Sequence, residues 1–297
     1  MRSGRGLAAG LILLGLVVAA AALLGPFVAD VIHYRTSDTT LNQIIGGDAA
    51  GLVVVAPFAI AVGLLALRGH PAAPVLALAP ATFVLYTYPQ LIVGQEYLRL
   101  PGNNERFFPL FLAGFVLAGA VAVSAWRAID AERLPPTPRR LDRLTAAVLL
   151  FVALFLAVGQ HLGSLVDALR DTPTRVEYIS SPTPFWLVKL MDLGIVVPVA
   201  VAAAIGLLRH SAQARRPMYA ILGAYTLLAA SVAGMAITML ANGDPDSSVV
   251  TVAAFVLFAL TFAALAVAVY RPLFGAGATP TGTAPAGTAT TPREVNV

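Results

Sequence analysis

The chain has 297 residues, of which 58% are hydrophobic and 11% are charged, and its mean hydropathy is +0.82. This composition excludes a soluble globular domain and is typical of an integral membrane protein. The net charge of +4 reflects basic residues beside apolar segments, so it predicts no nucleic-acid partner. Cysteine is absent, which excludes disulfides, thiol catalysis and cysteine metal sites.

Apolar residues are grouped in eight segments, each close to the ~20 residues that a helix needs to cross a bilayer. Alternating patterns typical of strands are missing, and a backbone in lipid must satisfy its own hydrogen bonds. We therefore predict an all-α, polytopic transmembrane bundle with eight spans. The first segment is longer than the apolar part of a signal peptide, so we expect it to remain as a spanning helix. The predicted spans are 7–31, 50–67, 72–93, 108–126, 144–166, 184–208, 217–240 and 249–270.

Arginine is distributed unevenly between the two sides of the predicted membrane. Thirteen arginines lie on the side of the N-terminus, and five lie on the other: Arg35, Arg99, Arg106, Arg170 and Arg175. Because positive charge accumulates in cytoplasmic connections, this bias predicts that both termini are cytoplasmic. The predicted location is the plasma membrane, with the lipid bilayer as the immediate partner.

The stretch WRAIDAERLPPTPRRLDR separates the fourth span from the fifth. We assign 1–126 to a first four-helix half, 127–143 to a cytoplasmic Pro/Arg-rich linker and 144–274 to a second half. Residues 275–297 are rich in Gly, Ala, Thr and Pro and predict a disordered cytoplasmic tail.

The two halves share some sequence detail. A shift of about 143 residues superimposes spans two to four on spans six to eight. Gly63 precedes Arg68 and His70 in the first half, much as Gly206 precedes Arg209 and His210 in the second. Pro57 and Pro198 interrupt the corresponding spans and are candidate hinges. This pattern suggests a 4+4 parallel repeat with an axis along the membrane normal.

Two opposite charges lie inside the sixth span, in PFWLVKLMDLGIVVP. Lys189 and Asp192 are three residues apart, so they share one face of a helix. A carboxylate at this depth must be paired, hydrated or protonated. One interpretation is structural, with Lys189 reaching the headgroups and Asp192 binding a neighbouring helix. The other is functional, with Lys189 as the partner of Asp192 in a binding site.

Other spans carry polar side chains at a similar depth, on the side away from the N-terminus. They are Tyr86, Thr87, Tyr88, Gln90, Gln160, His161 and Thr238, with Asp30 and His33 at the end of the first span. Spans four and eight are almost wholly apolar and predict scaffold. If spans one, three, five, six and seven converge, the polar groups would line an outward-facing pocket. The opposite halves of the spans are nearly bare of polar side chains, which argues against a relay that crosses the membrane.

The sequence gives little support for an enzyme. The hydrolase motif G-x-S-x-G, the metalloprotease motif H-E-x-x-H and the phosphate-binding loop are all missing from it. A metal at His161 with Asp192, or at Asp30 with His33, is a minor alternative, so we predict no cofactor and no metal.

The segment VKLMDLGIVVP resembles the corresponding helix in a family of multispanning bacterial membrane proteins of actinobacterial type. In that family the helix reads basic-x-x-Asp-Leu and then proline, and the third helix ends in a Tyr-rich segment like 86–90 here. The family has no known activity. The resemblance therefore implies that Lys189, Asp192 and Pro198 are positions of interest, without implying a function.

The function best predicted from the sequence is small-molecule binding in a transporter-like or sensor-like role. The predicted ligand-binding residues are Asp192, Lys189, Tyr88, Gln90 and His161, and the predicted hinges are Pro57 and Pro198. The first alternative is a structural or accessory membrane subunit, whose polar groups only hold helices together. An intramembrane enzyme is the third interpretation, after these two.

Overall fold

The computed structural model describes residues 2–132 and 134–275. The predicted tail, 275–297, lies outside the described residues apart from Gly275, and so does Arg133 of the predicted linker. In the described part of the chain the structure is all-helical, with no strand. That part contains eight helices long and apolar enough to span a membrane, which fits a multi-pass membrane protein.

The eight long helices follow one another in chain order. They are α1 (Arg2–Leu24), α2 (Asp38–Leu67), α3 (Ala73–Ile92), α4 (Asn104–Ala128), α5 (Arg139–Ala168), α6 (Pro182–Leu208), α7 (Ala212–Ala241) and α8 (Val249–Gly275). A helix of five residues, Val176–Ser180, lies between α5 and α6.

Two helix ends differ from the sequence-based prediction. The first helix ends at Leu24 rather than continuing to residue 31, because Gly25 and Pro26 follow it. In the turn beyond them Asp30 adopts a positive φ of 48°. Asp30 and His33 therefore lie in the following connection, where their side chains are exposed and 3.8 Å apart. The second helix begins far earlier than residue 50, at Asp38, because the Ser37 side chain accepts a hydrogen bond from the Thr40 N–H and caps it.

Helices α3 and α7 lie at the centre of the bundle, whereas α4 and α8 are peripheral. Helix α7 packs against α2, α3 and α8. Its contact with α2 is so close that a Cβ added to Gly46 would overlap the backbone of Gly234. Small residues thus let α2 and α7 approach at backbone distance, as is usual between helices in membranes.

Three helices contain π-helical segments: Gly51–Val55 in α2, Phe155–Leu162 in α5 and Asp192–Val196 in α6. In α2 and α6 the segment ends two residues before a proline, Pro57 or Pro198. A proline ring clashes with the carbonyl four residues earlier in an α-helix, and both of those carbonyls belong to the π segments. The wider turn accommodates the ring without ending the helix.

The α1–α2, α3–α4, α5–α6 and α7–α8 connections meet at one end of the bundle, opposite the N-terminus, which we call the distal end. Arg35 donates two hydrogen bonds to Glu105, at 2.6 and 3.0 Å. This carboxylate raises the pKa of the Arg35 guanidinium, so the pair stays charged. Glu96 accepts a hydrogen bond of 2.7 Å from the Thr183 N–H. Contacts of this kind tie the distal connections together.

Candidate functional site

Asp192 is the centre of a buried polar group formed by three helices. Its Oδ2 lies 2.7 Å from Nε2 of His161, and its Oδ1 accepts a hydrogen bond of 2.6 Å from the Tyr86 hydroxyl. Asp192 and His161 are 5% and 4% exposed. Helices α6, α5 and α3 therefore each contribute one side chain to the group.

The chemistry of the three side chains fixes their hydrogen-bond roles when Asp192 is ionised. A carboxylate only accepts hydrogen bonds, so Nε2 of His161 then carries the proton. The carboxylate thus holds the imidazole at Nε2, which leaves Nδ1 as a hydrogen-bond acceptor.

Asp192 and His161, the buried hydrogen-bonded pair, are both placed by π-helical segments. His161 lies within Phe155–Leu162, and Asp192 is the first residue of Asp192–Val196. A π segment adds a residue to the local turn and rotates the following side chains relative to a regular α-helix, and such segments are frequent at functional sites.

Lys189 does not pair with Asp192, in contrast to the functional interpretation of the sequence. Its ammonium lies 3.3 Å from the centre of the Phe185 ring, and none of the ion pairs among the described residues includes it. Residues three apart on a helix are offset by about 60°. This offset lets Asp192 bind α3 and α5 while Lys189 turns to a cavity.

That cavity has a volume of about 340 Å³ and lies within the distal half of the bundle. Its wall includes residues of α1, α2, α3, α5, α6 and α7, together with distal connections, whereas α4 and α8 contribute none. The lining is mixed, with apolar side chains such as Val18 and Phe83 beside amides, hydroxyls and charged groups. We call it the distal cavity.

Four of the five predicted ligand-binding residues line the distal cavity: Lys189, Tyr88, Gln90 and His161. The fifth, Asp192, lies behind the wall and reaches the cavity through His161. Thr87 and Gln160 also line it, whereas Thr238 binds the Gly234 carbonyl on its own helix. The predicted hinges, Pro57 and Pro198, lie in α2 and α6, each two residues after the end of its π segment.

Asp48 is a cavity residue that the sequence reasoning missed. The predicted second span begins at residue 50 and so leaves Asp48 outside it, but Asp48 lies well inside α2 and is 8% exposed. The capping signal of Ser37 before Asp38 would have indicated the earlier helix start. Because α2 begins at Asp38 and not at residue 50, it contributes Gln43, Gly47 and Asp48 to the cavity wall.

An apolar groove of about 360 Å³ lies on the other side of Tyr86. It runs between α3, α6 and α7, with Trp126 of α4 at its wall, and is lined by side chains such as Met191, Val199 and Tyr225. Tyr86 therefore presents its ring to the groove and its hydroxyl to Asp192, and it separates an apolar surface from the buried polar group.

No family model matches the chain, and comparisons with curated proteins and with solved structures found no match. The resemblance of the Lys189 to Pro198 segment to multispanning bacterial membrane proteins thus stays an expectation from the sequence.

Proposed function

We propose that the protein binds a small polar molecule in the distal cavity and acts as a transporter or a sensor for that molecule. The cavity volume of about 340 Å³ falls in the range of about 300 to 1,000 Å³ that is usual for small-molecule sites. This size suits a small metabolite.

The observation that carries the proposal is the position of the Asp192, His161 and Tyr86 group against the cavity wall. Ionisable side chains within a spanning region are costly, and they commonly mark binding sites or proton relays. Here the imidazole both lines the cavity and binds the buried acid. Lys189 is the only lysine or arginine among the described residues that line the cavity.

The hinge positions favour transport over sensing. Pro57 and Pro198 each follow a π segment that already departs from regular α-helical hydrogen bonding. Broken helices beside a central site are a common device of transporters. We propose that α2 and α6 bend at these points, so that the cavity closes at the distal end and opens at the other.

The sidedness and internal symmetry of the bundle belong to the same proposal. We infer from the arginine distribution that the protein lies in the plasma membrane, with the distal end outside and both termini cytoplasmic. The pairing of α1 with α2, α3 with α4, α5 with α6 and α7 with α8 supports a 4+4 parallel repeat. So do the equivalent π segments before Pro57 and Pro198.

Ligand-induced thermal stabilisation of the purified protein tests the binding site. The wild type, Lys189→Gln and Asp192→Asn are heated in detergent with a panel of amino acids, sugars, organic acids and amines. Asp171→Asn is the matched control, because Asp171 is an exposed distal acid outside the cavity lining. We expect one chemical class to raise the unfolding midpoint of the wild type and of the control but not of Lys189→Gln or Asp192→Asn.

The opposite result is a panel without effect on the wild type, together with an Asp192→Asn protein that merely melts lower. Asp192 would then be a structural pin between α3, α5 and α6, and the accessory-subunit interpretation would replace the proposal. With a ligand in hand, uptake into proteoliposomes separates a transporter from a sensor, because only a transporter accumulates the ligand inside.

A further inference from the structure

Asp48 has no hydrogen-bond or salt-bridge partner among the described residues, although it lies inside a spanning helix. Its side chain lines the distal cavity, and the residue is 8% exposed. Its Oδ2 is buried without a partner. The contrast with Asp192, which has two partners, is sharp.

The surroundings of Asp48 favour positive charge. Its carboxyl lies against Gly25, where an added Cβ would overlap it. Gly25 directly follows Leu24, the last residue of α1. The C-terminal end of a helix carries partial negative charge, so α1 disfavours an anion here and favours a cation.

Two phenol hydroxyls near Asp48 also lack partners. The hydroxyls of Tyr34 and Tyr88 are buried and make no hydrogen bond with the described residues. Burial, together with the nearby charge of Asp48, raises the pKa of the Tyr34 phenol well above its usual value. The Tyr88 and Tyr34 ring centres lie 5.4 and 6.4 Å from that of Phe111, which holds both rings in place.

One charge and several acceptors define the complementary ligand group. The described residues include no cluster of three or more histidine or acidic side chains that could hold a metal. A single carboxylate matches a single positive charge. A primary ammonium group carries one charge and donates three hydrogen bonds, so it could satisfy Asp48 and the oxygen of Tyr88, which both line the cavity.

We propose that Asp48 binds the primary ammonium group of a small organic amine, with the Tyr88 hydroxyl as a second acceptor. This inference rests on the small-molecule site proposed above and names the class of ligand. The ammonium lies beside Asp48 at the α1 end of the cavity. A carboxylate elsewhere on the same ligand would meet Lys189, the fixed cation of the lining.

Matched pairs of amines and alcohols test this assignment. The full-length protein in detergent is titrated with ethanolamine, 4-aminobutyrate and L-alanine, and with ethylene glycol, 4-hydroxybutyrate and L-lactate, while the unfolding midpoint is recorded. We expect at least one amine to stabilise the wild type while its hydroxyl analogue does not. Asp48→Asn should lower the affinity for that amine about tenfold or more, because a charge-assisted hydrogen bond is lost.

Two further variants and a salt series keep the outcome decisive. Tyr88→Phe retains the ring that packs on Phe111 and should weaken amine binding several-fold, even if Asp48→Asn fails to fold. Asp171→Asn should bind like the wild type. The unfolding midpoint is also compared in sodium chloride and in N-methylglucamine chloride. If Na⁺ stabilises the wild type but not Asp48→Asn, the site binds an inorganic cation and the proposal is overturned.

The remaining outcomes separate this inference from the proposed function. If amines and hydroxyl analogues stabilise the wild type equally, or if Asp48→Asn binds amines normally, the cavity still binds small molecules but Asp48 has no role in selecting them. If neither the matched pairs nor the wider metabolite panel stabilises the wild type, both proposals are wrong.

Discussion

The carboxylate of Asp192 is held from two sides by the Tyr86 hydroxyl and the His161 imidazole. Hydrogen bonds to a charged group are worth more than neutral ones, although hydrogen bonds measured in membrane proteins are often modest. We expect Tyr86→Phe to lower the free energy of unfolding by about 1 to 2 kcal/mol, measured by SDS-induced unfolding in mixed micelles.

Tyr225→Phe is the matched control for this substitution. Tyr225 is a buried tyrosine that lines the same apolar groove as Tyr86, but its hydroxyl has no partner among the described residues. The control should unfold within about 0.5 kcal/mol of the wild type. Equal losses in both variants would show that the Tyr86 hydrogen bond contributes nothing measurable.

At this scale the sequence identified the acid but could not identify its partners. Asp192 stands out because a carboxylate in an apolar segment is conspicuous. The nearby Lys189 seemed the natural partner, since helical spacing alone puts the two on one face. His161 and Tyr86 come from other helices. His161 and Asp192 are placed by two π segments, which the hydrophobic pattern of the sequence does not indicate. The interpretation that paired Lys189 with Asp192 from their spacing along one helix therefore gave the wrong partner, whereas the alternative already expected Asp192 to bind a neighbouring helix.

Among the helices, the contact of α2 with α7 depends on the absence of one side chain. A Cβ on Gly46 would overlap the backbone of Gly234 and of Met235, which has little room to move. We expect Gly46→Ala to destabilise the protein by about 1 to 3 kcal/mol through overpacking, seen as a lower unfolding midpoint. Because α2 also carries Asp48, the same change should displace the cavity wall.

Gly119→Ala provides the control for helix propensity. Gly119 lies within α4, and a Cβ added there would meet nothing within 4 Å. Alanine should be neutral or stabilise the protein by up to about 1 kcal/mol. If both alanine variants behave alike, the approach of α2 to α7 is looser than the structure indicates.

The long helices themselves were largely predictable, because spanning segments in lipid must be apolar and close to 20 residues long. The beginning of α2 was not. Residues 38–50 include polar side chains such as Thr40, Asn42 and Gln43, which hydropathy assigns to a connection. They are helical here because the segment packs on α7 and its polar face lines the cavity. Tertiary contacts, rather than local hydropathy, set that boundary.

For the whole molecule, the arginine distribution predicts which end faces the cytoplasm. The chain contains no cysteine, so single cysteines can be introduced without background. Asp171, between α5 and α6, and Gln213, near the start of α7, are exposed at opposite ends. We expect an impermeant maleimide to label Asp171→Cys in intact cells and Gln213→Cys only after permeabilisation. The reverse pattern would invert the topology and turn the distal cavity toward the cytoplasm.

Lys189 is the only lysine in the chain, and its side chain lies in the wall of the distal cavity. Apart from the α-amino terminus, every reagent that acylates primary amines therefore has one target in this molecule. The mass of the intact protein after such a reaction therefore measures how accessible the cavity wall is at Lys189. A lysine-directed peptidase likewise has a single bond to cut, and it lies within α6, where the peptidase can reach it only after the bundle has opened.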